Sequence, residues 1–116
     1  WNNKSFMNVP TIQELNLLHS NVCQALGDPK RIMILYELNE RPRNVSDLAS
    51  DLDMPQPTVS RHLRVLRQRA LVSPERDGSS VFYHLTDPRM IAILDQMRMV
   101  LRGSLARQSS FLETES

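Results

Sequence analysis

The sequence is short of the residues that several classes of protein require. Its single cysteine, Cys23, excludes an intrachain disulfide and fits a reducing cytoplasm. No apolar run approaches the ~18 residues that a membrane helix needs, and the start of the chain lacks the pattern of a secretory signal. The first residue is Trp1 rather than Met, which leaves open whether the native start lies upstream. Because the sequence also lacks a glycine-rich phosphate loop and a nucleophile triad, an enzyme is not expected.

Charge is nearly balanced over the whole chain but is concentrated in one segment. The 116 residues carry a formal net charge of +1, which does not by itself indicate nucleic acid. Residues 56–76 nevertheless hold five arginines and a single acidic residue, Glu75, which gives a local charge of +4. A basic patch on a near-neutral protein is typical of DNA-binding domains, and a solvated arginine-rich helix face is the alternative.

The first part of the sequence predicts two helices. Residues 1–10 are polar and are expected to form a flexible N-terminal arm. Thr11 and Glu14 form a capping box at the start of a helix over residues 11–26. Asp28-Pro29 then begins a second helix, because Asp is a good N-cap and Pro is tolerated in the first turn. The side chains expected to face inward from this helix, which runs to about Asn39, are Ile32, Leu35, Tyr36 and Leu38.

Two further helices are separated by a tight turn at Asp53-Met54-Pro55. The first is short and carries apolar side chains at helical spacing, namely Val45, Leu48, Ala49 and Leu52. The second is longer and has on its inner face Val59, Leu63, Leu66 and Ala70. Two helices joined by a turn of three or four residues form the helix-turn-helix pattern.

After Leu71 the periodicity becomes that of β-strands. Val72–Arg76 and Val81–Leu85 flank a tight turn at Asp77-Gly78, which predicts a two-stranded hairpin. Pro74 suits an exposed edge strand, since proline cannot donate to a sheet ladder. This hairpin is a candidate wing.

The last predicted helix, over residues 88–105, is too broadly apolar for the core of one small domain. We therefore expect a second subunit to cover part of it. The residues predicted to form this helical dimer interface are Leu15, Leu18 and Val22 on the first helix and Leu94, Met97 and Leu101 on the last. The DNA-binding and dimerisation domain would then span residues 11–105, followed by a polar C-terminal tail over residues 106–116.

Two stretches of the sequence resemble the ArsR/SmtB family of regulators. Ala25–Leu35 resembles the family's second helix, and Gln56–Leu66 resembles its DNA-reading helix. The resemblance continues through Leu71-Val72, Arg76-Asp77-Gly78 and Tyr83-His84-Leu85, and it covers about residues 14–102. It implies a mainly α (α+β) winged helix-turn-helix fold, with about five helices, a two-stranded β-hairpin wing and a helical dimer interface.

The resemblance also implies which residues touch DNA. Gln56, Ser60 and Arg61 match positions that family members use for this purpose, and the first residues of a helix in the major groove usually meet base edges. Gln suits adenine, whereas Arg suits guanine or phosphate. The full set of candidate DNA-binding residues is Gln56, Pro57, Thr58, Ser60, Arg61, Arg64 and Arg76. Arg64 is expected to contact phosphate, and Arg76, beside a neutral wing tip, to reach the backbone or the minor groove.

One position departs from the family pattern. Pro55 stands where the family often has a serine N-cap, and proline offers no side-chain oxygen to the first-turn amides. The serine's contact with phosphate is lost as well. We therefore expect Pro55 either to stiffen the start of the DNA-reading helix or to shift its register by one residue.

The resemblance raises the possibility of two kinds of metal site, and the sequence lacks the ligand sets of both. The third helix has Asn44–Leu48 in place of a Cys-x-Cys pair. On the last helix Asp87 matches the first ligand, but the other positions hold Arg89, Val100 and Gly103. A weak metal candidate is the pair His19 and Cys23, four residues apart; the alternative is a buried structural Cys23 and a surface His19. No cofactor is therefore expected.

The combined expectation is a sequence-specific DNA-binding transcriptional regulator. The resemblance implies repression by a homodimer bound to a pseudo-palindromic operator in double-stranded DNA. Neither the operator nor the existence of an inducer follows from the sequence. The alternative function is a winged-helix protein-interaction module without specific DNA binding. The local charge of +4 and the polar side chains of Gln56, Ser60 and Arg61 argue against it.

Overall fold

The computed structural model describes the backbone of residues 9–115 and the side chains of residues 9–110, so most of the predicted arm lies outside the described residues. The chain divides at Thr86 into two compact units, which are described separately. In chain order the elements are α1 (Ile12–Leu18), α2 (Pro29–Glu40), α3 (Val45–Leu52), α4 (Gln56–Gln68), β1 (Val72–Asp77), β2 (Ser80–Leu85) and α5 (Arg89–Glu115). The predicted fold class, mainly helical with a two-stranded hairpin, is confirmed.

Helix α1 begins as predicted but does not continue as one α-helix to residue 26. Thr11 Oγ1 accepts a hydrogen bond from the Glu14 amide at 3.2 Å, as expected of an N-cap. After Leu18 the chain forms a π-helix over His19–Cys23 and a 3₁₀ turn over Ala25–Gly27. The side-chain Nδ2 of Asn21 donates to the Leu17 carbonyl at 2.9 Å, and such side-chain bonds compete with the regular α-helical ladder.

The core of the first unit is built by the helix faces that the apolar spacing indicates. Leu48, Val59, Leu63 and Leu66 are buried, together with Val72 at the start of β1. In α2 the inward face differs from the prediction: Leu35 and Leu38 are buried, but Ile32 and Tyr36 are half-buried, and Ile34, which was not predicted, is fully buried. Asp28 caps α2 by accepting from the Lys30 amide at 2.9 Å.

The turn between α3 and α4 has the predicted location and makes the helix-turn-helix. Asp53 ends α3 in the left-handed region at φ 53°, and the Met54 amide donates back to the Ala49 carbonyl at 2.9 Å. This closure reverses the chain within three residues, so that α4 can begin directly after Pro55.

Ala70 does not lie on the inner face of α4, contrary to the prediction. It is exposed and has φ 60°, just beyond the end of the helix. The Leu71 amide donates to the Leu66 carbonyl at 2.9 Å and the Ala70 amide to the Arg67 carbonyl at 3.0 Å, which is a Schellman motif. An alanine therefore occupies a position that glycine normally takes.

The hairpin of β1 and β2 turns one residue later than predicted, with Gly78 and Ser79 between the paired residues Asp77 and Ser80. Gly78 has φ +65°, a conformation that glycine adopts without strain. Pro74 pairs with Tyr83, whose amide and carbonyl both bond to Arg43, at 2.8 Å and 3.1 Å. Since Tyr83 has no backbone bond left for β1, the missing amide of Pro74 costs nothing, and the predicted edge position is confirmed.

Arg43 is a buried charge, although its segment was predicted to be only a polar connection. Its side chain is 3% exposed, and its guanidinium forms ion pairs with three carboxylates: Glu37, Glu40 at 3.1 Å and Asp51 at 2.8 Å. Burial alone would lower the pKa of Arg43, but Glu37, Asp51 and Glu40 together raise it above its ordinary value. The residue thus joins the end of α2, helix α3 and strand β2.

In the second unit, α5 extends ten residues beyond its predicted end at residue 105. No proline or glycine follows Gly103, and Leu105, Ala106 and Arg107 are good helix formers. Ile91 and Leu94 are buried, whereas six apolar side chains of α5 are more than half exposed, namely Ile93, Met97, Met99, Val100, Leu101 and Leu105. Within residues 9–115, none of the helices combines the length and the apolar character that a membrane span requires.

Replacing Arg43 should destabilise the fold strongly. Arg43→Met would leave three carboxylates facing each other without their cation, and we expect a loss of about 2–4 kcal/mol in the free energy of unfolding. Urea unfolding followed by circular dichroism measures this. The control is Arg41→Met, since Arg41 is exposed two residues away. Equal stability of the two variants would contradict the structural role of the buried guanidinium.

Ala70→Gly should instead stabilise the protein. Glycine relieves the left-handed conformation at the end of α4, and we expect a gain of about 0.5–1 kcal/mol in the free energy of unfolding. The same substitution at Ala92, exposed within α5, should cost about 1 kcal/mol because that position is helical. Thermal unfolding of both variants shows whether the two changes in stability have opposite signs. A destabilised Ala70→Gly variant would refute the assigned backbone conformation.

Candidate nucleic-acid interface

Helix α4 presents one apolar and one polar face. Val59, Leu63 and Leu66 are at most 1% exposed, which fixes the rotation of the helix about its axis. Of the seven predicted DNA-binding residues, the structure brings six together on the first turns of α4. Five of these are exposed, namely Gln56, Pro57, Ser60, Arg61 and Arg64, while Thr58 is half-buried.

The start of α4 offers few backbone amides to a phosphate. Pro55 is the N-cap residue and makes no side-chain cap, and Pro57 in the first turn has no amide hydrogen. The amides of Thr58 and Val59 both donate to the Pro55 carbonyl, at 3.0 Å and 3.2 Å. An anion at this helix end would therefore depend on side chains more than on the free N–H groups that usually serve there.

The exposed face of α4 supplies that positive charge. Arg61, Arg64 and Arg67 are exposed, and the helix contains no acidic residue. The guanidinium of Arg61 donates to Thr58 Oγ1 at 3.4 Å, so the half-buried threonine helps to direct the arginine rather than offering its own hydroxyl freely. A row of uncompensated arginines on one helix face suits contact with a phosphate backbone.

His62 lies on the flank of α4 that faces the start of α2, and sequence reasoning gave it no definite role. It is 14% exposed, with its Nδ1 3.4 Å from Arg31 Nη1 and its Nε2 3.9 Å from Asp28 Oδ2. Burial lowers the pKa of His62, and the nearby cations Arg31, Arg61 and Lys30 lower it further, whereas Asp28 opposes them. The neutral imidazole is thereby favoured. The sequence motif of α4 pointed to its neighbour Arg61 as a DNA contact, but nothing in the sequence pointed to the contacts of His62.

The wing is much less basic than α4. Arg76 is exposed on β1, as predicted, but its neighbours Glu75 and Asp77 are exposed acids. The three residues line, with Pro42 and Phe82, an open depression of about 350 Å³. Since two carboxylates outweigh one guanidinium here, the wing attracts phosphate weakly.

The weak metal candidates are not part of this surface. His19 and Cys23 both lie on the π-helix after α1, and both are exposed, so the alternative of a buried Cys23 is wrong. Among the residues that the structure describes, no three of His, Cys, Asp and Glu are grouped so that they could hold a metal ion.

The matched family model is that of the arsR family of bacterial regulatory proteins, and it covers residues 28–73, from the cap of α2 into β1. The chain is 43% identical over 77 residues to the HTH-type transcriptional regulator NmtR of Mycobacterium tuberculosis, with 66% of this chain and 64% of that protein covered. It is 36% identical to the HTH-type transcriptional repressor SmtB of the same species, of which 63% is covered. The chain therefore spans somewhat less than two thirds of these two curated relatives.

Another relative matches this chain over almost its whole length. The uncharacterised HTH-type transcriptional regulator Rv0081 of Mycobacterium tuberculosis is 33% identical over 102 residues, with 87% of this chain and 90% of that protein covered. Its crystal structure superposes with a TM-score of 0.72 over 81% of this chain and 95% of the other. A homodimeric winged helix-turn-helix DNA-binding domain from Mycobacterium bovis, 23% identical and covered to 88%, shares the fold over 83% of this chain with a TM-score of 0.70. On this evidence the chain belongs to the arsR family of bacterial regulatory proteins, and its fold is the winged helix-turn-helix.

Proposed function

We propose that this protein is a cytoplasmic transcriptional repressor that binds a pseudo-palindromic DNA operator as a homodimer. The observation that carries the proposal is the exposed face of α4, where Gln56, Ser60 and Arg61 lie over the first two turns and Arg64 and Arg67 continue the basic row. Such a helix fits the major groove, with polar side chains near base edges and arginines near phosphates.

In this proposal the affinity for DNA comes from α4 rather than from the wing. The arginines of α4 have no acidic neighbours on the helix, while Arg76 is flanked by Glu75 and Asp77. Arg61 is the residue best placed for a base or phosphate contact, because it is exposed on the first turns and is directed by Thr58. Arg76 keeps a minor part, a contact to the backbone or minor groove.

The proposed dimer rests on the unpartnered apolar surface of the first and last helices. Leu15 and Leu18 of α1 are 42% and 48% exposed, and Met97 and Leu101 of α5 are 54% and 55% exposed. Val22 is half-buried, and Leu94 is 3% exposed in the single chain, so Leu94 has almost no area left to contribute. Exposed apolar area of this extent is typical of a subunit interface, and the Mycobacterium bovis relative is itself described as homodimeric.

The proposed domain organisation follows from these parts. Residues from 11 onward form the DNA-binding and dimerisation domain, and we extend its last helix through Glu115 in place of a separate polar tail. We propose no metal cofactor, because the ligand positions of the family sites hold Arg89, Val100 and Gly103. Release from DNA would then require another kind of inducer.

Arg61→Ala should weaken binding to the preferred duplex by about 1–3 kcal/mol, because it removes a base or phosphate contact at the start of α4. The preferred duplex is first enriched from a random pool with the wild-type protein, and fluorescence anisotropy then gives its dissociation constant and that of a scrambled duplex over a salt series. Arg41→Ala is the control, since it removes one exposed charge outside α4 and should leave the preference unchanged.

The salt series separates the two candidate functions. A DNA-binding regulator loses affinity steeply as salt rises, because each phosphate contact releases counterions. Weak binding to both duplexes with no dependence on salt would contradict the proposal and favour a winged-helix protein-interaction module.

Leu101→Glu should convert the dimer into a monomer, because it places a carboxylate within the proposed apolar interface. Met99→Glu is the matched control: Met99 is 59% exposed but lies on the other side of α5, about 200° away around the helix. Sedimentation equilibrium gives the mass of each variant. A dimeric Leu101→Glu variant, or equal dissociation of both, would reject this face as the interface.

A further inference from the structure

Arg31 links the segment before α2 to helix α4. Its Nε donates to the carbonyl of Ala25 at 2.6 Å and its Nη2 donates to the carbonyl of Gln24 at 3.1 Å, both between the π-helix and α2. Its Nη1 lies 3.4 Å from Nδ1 of His62 on α4. The side chain is 16% exposed and is therefore held by these contacts rather than free in solvent.

The direction of the contact with His62 follows from its chemistry. A guanidinium has donors only, so Nδ1 of His62 must accept the hydrogen bond. The imidazole is then neutral and carries its proton on Nε2, which faces Asp28 Oδ2 at 3.9 Å. Asp28 in turn is fixed by the Lys30 amide as the cap of α2.

The contact with Arg31 adds a directional restraint to the apolar packing of helix α4. Val59, Leu63 and Leu66 bury its inner face and fix its rotation, but the burial of apolar surface is itself non-directional. At its start, Pro55 supplies no side-chain cap. A hydrogen bond beside Arg61 therefore limits how the DNA-facing side can tilt.

We propose that Arg31 is a positioning residue for DNA reading, which holds His62 and so fixes the orientation of α4 relative to the segment Gln24-Ala25 that precedes α2. This inference rests on the proposed function. Because Val22 of the proposed dimer surface lies two residues before Gln24, the same contact also bears on the spacing between the two DNA-reading helices. Arg31 itself does not touch DNA.

Protonation of His62 should break its contact with Arg31. The charged groups that face the imidazole are Asp28, Arg31 and Lys30 from the segment around the start of α2, and Arg61 from α4 itself. A protonated Nδ1 would place a donor against the donor of Arg31, and Asp28 is the single carboxylate of this set that favours the cation. Because the pKa of His62 is lowered from its usual 6.5, mainly by burial, the contact is intact at neutral pH and is lost as the pH falls through this lowered pKa.

The test compares four variants with wild type on the enriched and scrambled duplexes at about pH 7.5 and about pH 5.5. At the higher pH, Arg31→Lys and His62→Leu should lose about tenfold of the preference for the enriched duplex, the effect of one hydrogen bond to a charged group. Their salt slopes should match wild type, since the charge facing DNA is unchanged. The control Arg41→Lys should behave as wild type at both pH values.

His62→Asn separates positioning from simple structural damage. Its amide oxygen can take the place of Nδ1 as acceptor and does not titrate. We expect it to keep the wild-type preference at the higher pH and to keep it at the lower pH, where wild type loses it. Thermal unfolding confirms that each variant is folded. If His62→Leu does not fold, the comparison of His62→Asn with wild type at the two pH values still tests the positioning role.

Two outcomes would overturn the positioning role while the proposed function stands: an Arg31→Lys variant that discriminates as well as wild type, or equal loss of preference at low pH by wild type and His62→Asn. A wild-type protein that prefers no duplex would overturn the proposed function and the positioning role together.

Discussion

The buried ion cluster of Arg43 is the interaction on which the first unit depends. Its backbone pairs with Tyr83 of β2, while its guanidinium pairs with Glu37, Glu40 and Asp51 on α2 and α3. A charge that is 3% exposed would be costly by itself, but three carboxylates at the rim of the site offset that cost. Because one residue joins two helices and the sheet, the helix-turn-helix and the hairpin cannot shift independently of each other.

The cluster also accounts for part of the charge balance between a nearly neutral chain and its basic helix α4. Arg43 and its three carboxylates together have a charge of −2, and they lie at the junction of α2, α3 and β2 rather than on α4. Three acidic residues of the chain are thus engaged in the fold rather than placed beside the arginines of α4. Within α4 itself no carboxylate competes with phosphate for Arg61, Arg64 or Arg67.

Most of the fold and the outline of the site could be predicted from the sequence because both follow from local patterns. Apolar spacing identified the buried face of α4, and the exposed set from Gln56 to Arg64 follows from it. The roles of Arg43 and His62 could not be predicted, because each depends on partners brought close by the tertiary fold: Tyr83 lies 40 residues from Arg43, and Arg31 lies 31 residues from His62. The left-handed Ala70 was not predicted for another reason, since the backbone closure at the end of α4 overrides the side-chain preference. The π-helix after Leu18 was not predicted either, because side-chain bonds such as that of Asn21 to Leu17 compete with the α-helical ladder there.

Residues that touch DNA and residues that orient the DNA-reading helix therefore place different demands on a sequence. A contact residue needs only exposure and suitable chemistry, so an exposed arginine such as Arg61, which we propose as a DNA contact, can be found from its position in the helix. An orienting residue must instead be held by directional contacts, as we propose for the half-buried Arg31, which donates to the carbonyls of Gln24 and Ala25. Hydrogen bonds to bases in the groove require a fixed angle and register, whereas attraction to phosphates does not. In the function that we propose, the start of α4 lacks a side-chain cap and the acids of the wing outnumber its arginine, so half-buried polar contacts such as that of Arg31 with His62 contribute to specificity for DNA.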